Sequence, residues 1–573
     1  MDNLKKIRML LTTAVVLGGA ILGAQTAFAS SEVLHIGEVS FVPAQGLLGS
    51  SVFGSSSTDL MLASPAGTGD SIFSITNERM FGQAGIAKYE IDQEKQSVHL
   101  TMQEVVYWHD GTELTLDDLV FAYEVIAHPD YTGARFSEAV QAVKGIMAYY
   151  EGTADDISGM VLSADKRELT IFFDTLEPAY FFMSGGMWTV PMPRHHFEGV
   201  AVEDMPASLQ MREDIVGFGP YVVDFIVPGE LVAYKRNDNY VFGTPKIEAL
   251  DIQVVLGEVA PLAFEVGGID IVHFSADWFE TYDDMPHAQI FGEVAPIYNH
   301  LTFRLGQWDE KSGRNVTDGT KRTSDVRLRQ AMAYAIDQSL ITDYVFSGRR
   351  VPATSVVPPA FGAFFDADLA GFGYDVARAN VLLDEAGYVD ITADGYRESP
   401  DGQPLTLILA IHEAGPNEMI ARFLIEQWAK VGLHVALHED RMAEFSDLMA
   451  AVLSDDPSVD EVDLVWGSWL LSNPMQQAIW GVDSRNNFSR FGSDALEEIM
   501  TKMTSTEALE MDVLKATVGD FQVWFNDNVP AIINNWQMDN WAVNDRVTGF
   551  SLGGEQRGLS VPFQWQLLEL VSE

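Results

Sequence analysis

The chain has 573 residues, 35 Lys and Arg against 83 Asp and Glu, a formal charge of −48 and no cysteine. Its apolar fraction of 47% suits a packed protein, and the length allows about three to four domains of ordinary size. Without cysteine there is no disulfide, thiol nucleophile, thiolate zinc site or iron–sulfur cluster. So acidic a chain also lacks the clustered cations that displace counterions from a phosphate backbone, so no nucleic-acid partner is expected.

Lys5, Lys6 and Arg8 precede an uncharged run from Met9 to Ala24, and Ala27-Phe28-Ala29 follows. A basic segment, an apolar segment and a small-residue cleavage site in that order predict a signal peptide over residues 1–29. The apolar run is short for a hydrocarbon core about 30 Å thick, which weighs against a retained anchor.

Val33 to Val42 reads as a strand feeding the Gly/Ser loop Gly46 to Ser57, and Ile86 to Ile91, Ser97 to Gln103 and Leu169 to Asp174 read as short strands. Between them Thr115 can cap a helix whose first turn carries Asp117 and Asp118 and which ends before Pro129. Tyr221 to Val227, the turn Pro228-Gly229-Glu230 and Leu231 to Lys235 predict a hairpin, with a further strand over Ile252 to Leu256. The middle alternates helices (Ser324 to Ile336, Gln338 to Phe346, Asp375 to Ala386, Asn417 to Lys430) with strands (Leu405 to Ile411, Leu433 to His438), an α/β lobe. The last part adds a strand at Val462 to Val465, helices over about 493–503 and 506–526, and β-rich segments at Ala531 to Asn535 and Val561 to Leu570. Two lobes built from non-contiguous segments fit this order.

Catalysis has no positive support. The adjacent acids Asp117-Asp118, Asp155-Asp156, Asp283-Asp284 and Asp455-Asp456 lack the opposed geometry of a glycosidase. His195-His196 reads as a surface turn, and Asp390-x-x-x-Asp394-Gly395 as an Asp/Gly turn without a calcium ligand set. Gly217-x-Gly219 leads into Pro220 and a strand, not into a helix N-terminus, so it is no phosphate cradle. No metal and no cofactor is expected. The segment Trp466-Gly467-Ser468-Trp469-Leu470-Leu471-Ser472-Asn473-Pro474 mixes indole area, small residues and hydrogen-bonding groups at a strand end, which suits a ligand cleft; inter-lobe packing is the alternative.

Four ordered motifs carry a resemblance: Trp108-His109-Asp110-Gly111-Thr112-Glu113-Leu114-Thr115-Leu116-Asp117-Asp118-Leu119; Gly217-Phe218-Gly219-Pro220-Tyr221; Ser324-Asp325-Val326-Arg327-Leu328-Arg329-Gln330-Ala331; and Leu382-Leu383-Asp384-Glu385-Ala386-Gly387-Tyr388. Together they resemble extracellular solute-binding proteins of family 5, the peptide-binding class serving ABC importers. Asn487-Phe488-Ser489-Arg490-Phe491 and Asn544 to Phe550 are similar to its Gram-positive oligopeptide-binding branch. The resemblance implies a two-lobed, type II (cluster C-like) periplasmic-binding-protein fold of the α/β class. It divides the chain into a first lobe over 30–300 with a subsidiary domain inserted at about 73–190, a second lobe over 301–520, and a return to the first lobe over 521–573.

It also implies a monomer that captures an oligopeptide between its lobes and delivers it to a membrane permease and ATPase complex. A nickel chelate, haem or oligosaccharide, or a secreted hydrolase, are the alternatives. The ligand-binding candidates are Trp466, Gly467, Ser468, Trp469, Leu470 and Asn473, with Asn299, Phe303 and Phe53. Two features depart from the family pattern. Leu470 and Asn473 stand where relatives place an Asp for the peptide amine, and Ala24, after Ile21-Leu22-Gly23, stands where a lipidated Cys is usual. The expected product is therefore exported and non-lipidated, held at the cell surface or in a periplasm.

Overall fold

The computed structural model describes residues 32–39, 43–54, 56–554 and 562–571. The expected signal peptide and Ala24 lie outside them, as do Phe41, Val42 and Val561.

Two lobes share one mixed sheet of eleven strands. In the first lobe Val33–Val39 runs parallel to both Ala249–Val255 and Ile271–Phe274, and the hairpin Tyr221–Val227 with Leu231–Arg236 extends the Ala249–Val255 side. In the second lobe Thr406–Ala410 lies parallel to both His434–Leu437 and Leu464–Leu470. Two long antiparallel strands, Ala288–Phe303 and Ala531–Asn544, cross from one lobe to the other. Their first-lobe halves pair Ala288 to Val294 with Met538 to Asn544, and their second-lobe halves pair Tyr298 to Thr302 with Ala531 to Trp536. Between the halves the register slips, so that residues 295–297 stand against the single residue Gln537. Pro296 has no amide to give a ladder, and the bulge bends the strand where the lobes meet.

Each lobe buries its own core: Leu34, Ile36, Tyr221, Tyr234 and Ile252 in the first, and Leu301, Phe303, Leu407, Trp428 and Leu464 in the second. Helices Val326–Tyr334, Val376–Ala386 and Asn417–Ala429 supply the second core from residues three to four apart, including Leu328 and Met332, Ala379 and Leu383, and Ile420 and Leu424. A separate antiparallel sheet, in the order Ala87–Asp92, Ser97–Met102, Glu168–Phe172, Met160–Leu162, forms the subsidiary domain. Its core draws in Val52 and Phe53 from before the sheet and Met211, Val216 and Phe218 from after it.

Helix Leu116–Ile126 starts as the sequence predicts: the Thr115 amide donates to Asp118 Oδ2 at 2.9 Å. The Trp108 turn beside it is pinned to the Gly217 segment. Trp108 meets Phe218 edge-on at 5.5 Å, and the His109 amide donates to the Gly217 carbonyl at 2.8 Å. The subsidiary domain reaches the second lobe through Phe182 and Phe364, with ring centroids 5.8 Å apart.

Three expected elements differ. His195-His196 lies in a one-turn helix, Arg194–Phe197, where a turn was expected. The expected helix at 338–346 is one α turn, Gln338–Leu340, running into a wider π turn, Ile341–Val345. The C-terminal segment makes only the short strand Glu569–Leu570 among its described residues.

Candidate functional site

Strand Leu464–Leu470 pairs with the second-lobe half of Ala288–Phe303, and the rungs on one face run outward from the core: Phe303 with Leu464, Leu301 with Trp466, Asn299 with Ser468, Ile297 with Leu470. Phe303 and Trp466 are 0% and 2% exposed inside the second-lobe core, whereas Leu470 is 69% exposed. Within three rungs the face passes from dry interior to solvent, and the rung at the changeover is polar. Side chains alternate along a strand, so one register fixes all of these placements.

The polar rung anchors a larger cluster. Gln537 Nε2 donates to Asn299 Oδ1 at 2.9 Å and to Ser468 Oγ at 3.4 Å. Arg350 begins the short strand Arg350–Pro352, which pairs with Asn535 to Gln537. Its Nη1 donates to Asn299 Oδ1 at 3.2 Å and Asn535 Oδ1 at 3.3 Å, and its guanidinium lies 4.1 Å from the centre of the Phe346 ring. Burial pushes the Arg350 guanidinium down to about 10, so it stays charged at neutral pH.

Across the bulge, on the first-lobe side, the charge is reversed. Glu293 and Asp539 stand opposite each other in register. Burial, and then Asp539, push the Glu293 carboxyl up. His273 Nε2 lies 3.6 Å from Asp539 Oδ1. The Arg79 guanidinium is lowered by burial and partly restored by Asp539 and Glu293. Burial pushes Glu38 up to about 7, against the pull of His273 and a hydrogen bond with Thr58.

The reverse face of the same strands is aromatic. His300 is fully buried, with Nδ1 2.8 Å from Thr302 Oγ1, and burial pushes its imidazole down to about 3. It stacks parallel to Trp469 at 6.3 Å and lies under Gly467, where a Cβ would come within 3.0 Å of the ring. Trp469 is half-buried and also packs on Phe488 at 5.2 Å. The Tyr298 hydroxyl donates to Gln476 Oε1 at 2.8 Å and accepts from Trp480 Nε1 at 2.9 Å.

Of the residues proposed from sequence, the structure therefore brings Asn299, Ser468 and Leu470 onto one face, with Gly467 and Trp469 on its reverse. Trp466 and Phe303 pack inside the second-lobe core. Asn473 turns back on its own loop, its Oδ1 accepting the amides of Met475 and Gln476 at 3.1 and 3.2 Å. Phe53 lies in the subsidiary-domain core, 5.1 Å from the Tyr131 ring. Arg350, Asn535 and Gln537 were not singled out by sequence; a pair of arginines in so acidic a chain was the one available signal. The other polar motifs serve the fold. His195 Nε2 lies 2.7 Å from Asp110 Oδ2, and Asp390 and Asp394 accept the amides of Gly395 and Tyr396.

A family model described as bacterial extracellular solute-binding proteins, family 5 Middle, matches residues 83–488. The oligopeptide-binding protein OppA of Lactococcus lactis subsp. cremoris (strain SK11) is 27% identical over 498 residues, 86% of this chain and 83% of that protein. Lactococcal OppA, complexed with an endogenous peptide in the closed conformation, aligns with TM-score 0.69 and 26% identity over 94% of this chain and 99% of that one. The periplasmic murein tripeptide-binding protein MppA, in its unliganded open form, aligns with TM-score 0.74 and 17% identity over 95% and 98%. These structures share the two-lobed type II binding-protein architecture with an extra inserted domain. Because the family match spans most of the chain, this protein belongs to family 5 of the bacterial extracellular solute-binding proteins.

Proposed function

We propose that this protein captures oligopeptides between its lobes, outside the cytoplasmic membrane, and delivers them to an ABC permease and ATPase complex. The observation that carries the reading is the polar rung of Asn299 and Ser468, joined by Gln537, set where the core face opens between the lobes. Amide and hydroxyl groups there can serve a peptide backbone without selecting its side chains, and the half-buried Trp469 on the reverse face adds apolar area nearby. The likeness to a protein named for oligopeptide binding supports the same ligand class. The chain is a binding protein of a transport family, not an enzyme.

The reading divides the chain at its crossing strands, with residues 30–300 and 521–573 in the first lobe and 301–520 in the second. It includes export without a lipid anchor, because Ala24 offers no thiol to acylate, and action as a monomer. No helix among the described residues is long and apolar enough to cross a membrane. Calorimetric titration with a peptide library tests the assignment. Heat is expected from the native protein, none from Ser468→Trp, in which an indole fills the exposed rung, and reduced affinity from Trp469→Ala, all with unchanged circular dichroism. Undiminished binding in both variants would place the ligand elsewhere, and no heat from any peptide would remove the ligand class.

A further inference from the structure

The eleven-stranded sheet ends on strands of unequal length. At the second-lobe end it stops at the four-residue strand His434–Leu437, and at the first-lobe end at the seven-residue strand Tyr221–Val227. A short edge resists pairing with other chains, whereas a long one offers a row of unmatched amides and carbonyls. Tyr221–Val227 pairs with Leu231–Arg236 on one side and, among the described residues, with no strand on the other. Val222, Val223, Phe225, Ile226 and Val227 keep it apolar, apart from Asp224 at a bulge. Five strand spacings lie between it and Ala531–Asn544, which places it about 24 Å from the lobe junction at about 4.8 Å per spacing.

The open side of this strand borders a groove. A cavity of about 370 Å³ lies beside residues 222–225, within the range of about 300–1,000 Å³ that ligand clefts span. Its facing wall is the stretch 213–216 with His109 and Asp110. That wall is fixed: the His109 amide donates to the Gly217 carbonyl at 2.8 Å, its Nε2 lies 3.1 Å from the Gly219 carbonyl, and Ile215 and Val216 are buried. Glu213 and Asp214 are exposed on it. The charge is unbalanced, with Asp110, Glu213, Asp214 and Asp224 against Lys235, 2.5 Å from Asp224, and His195, 2.7 Å from Asp110. Among the described residues no three His, Asp or Glu side chains converge as a metal site, so the negative charge is spread along the groove. A second copy of this chain would bring like charge to it, whereas a strand bearing Lys or Arg would meet opposite charge.

We infer that Tyr221–Val227 is a docking edge that accepts an extended, Lys- or Arg-bearing segment of a partner protein as an added strand. The partner's backbone completes the open edge, and its cations lie against Asp110, Glu213 and Asp214. The inference does not rest on the peptide reading above, because the groove lies between the first lobe and the subsidiary domain, away from the lobe junction.

Hydrogen exchange read by mass spectrometry on the mature full-length protein locates binding by segment, and so separates this edge from the cleft. The probes are an octapeptide of alternating Lys and Val, acetylated and amidated at its ends, its Glu counterpart, and the Lys probe with every backbone nitrogen methylated. At about ten times its dissociation constant the Lys probe should slow exchange of the outward amides in 222–226 about tenfold, and less so as salt rises. The Glu probe and the methylated probe should give no protection there. Glu213→Lys combined with Asp214→Lys should abolish protection by the Lys probe and confer it on the Glu probe, with unchanged circular dichroism. Ser468→Trp, in which the cleft is filled, should keep the native response, so a failure of the peptide reading is seen separately. No protection in 222–226, equal protection by the Lys and Glu probes, protection that survives the double variant, or protection lost in Ser468→Trp overturns the assignment.

Discussion

Burial, rather than a charged partner, sets the protonation of two groups in or beside the strands that meet at the lobe junction, and the two respond to acid in opposite directions. Glu38 is held up at about 7 by burial, so its folded pKa exceeds the unfolded value of 4.5. Its neutral form favours the folded state at low pH, and that contribution is lost as pH rises through 7. Glu38→Gln is therefore expected to raise the melting temperature at pH 8 and to leave it unchanged near pH 4.5, as followed by calorimetry. For His300, burial lowers the pKa from 6.5 to about 3. The unfolded chain then takes up a proton first as pH falls, so stability is full above 6.5 and declines below it by about 1.4 kcal/mol per pH unit until the folded imidazole titrates. His300→Phe should flatten the stability profile between pH 6.5 and 4 in denaturant titrations, and an unchanged slope would show that the ring is hydrated. Beneath the same ring, Gly467→Ala would bring a Cβ within 3.0 Å of an imidazole packed against Tyr298, Trp469 and Trp480. A cost of about 1–3 kcal/mol is expected at the denaturation midpoint.

At the scale of elements, the parts with local signals were legible in the sequence and the parts that join the lobes were not. Helices Leu116–Ile126, Val376–Ala386 and Asn417–Ala429 and the hairpin Tyr221–Val227 with Leu231–Arg236 carry their caps, apolar spacing and turn within a few residues of themselves. The crossing strand Ala288–Phe303 has no such signature. It is two half-strands serving different lobes, interrupted by Gly292 and Pro296, and its alternation breaks at the bulge. The strand Ala531–Asn544 was readable only over its first five residues, because Asn535, Gln537 and Asp539 put polar groups where an ordinary strand would be apolar. Local rules tend to fail where a site is built. The same register explains Trp466: composition suggested a cleft indole, but residues 466 and 468 share one face, and 466 lies where that face is covered by the second-lobe core whereas 468 lies where it opens to solvent. The Gly217-Phe218-Gly219 motif, by contrast, has a packing reason. A Cβ on Gly219 would meet the Gly67 amide nitrogen at 2.5 Å, backbone that cannot swing aside. Gly219→Ala should thus lower the denaturation midpoint more than Gly467→Ala does, where the obstacle is a side chain.

One sheet runs through both lobes, and the widest slip in its register lies where the lobes meet. Among the described residues only Ala288–Phe303 and Ala531–Asn544 carry the sheet across, and their pairing slips between Val294 and Tyr298, so a bend there would disturb few of their ladder hydrogen bonds. Closure about this bulge is the expected response to ligand, and it would carry Glu293 and Asp539 toward Arg350. Small-angle scattering should accordingly show a smaller radius of gyration when peptide is added, with an unchanged molecular mass. The formal charge of −48 keeps such a molecule apart from its copies and from polyanions, and does not select the cargo. The cargo is the central claim, and native mass spectrometry of the gently purified protein, followed by denaturing release of whatever it holds, tests it most directly. The account predicts a mass excess that resolves into peptides. A single non-peptide species, or an empty protein that also binds no peptide pool, would contradict it.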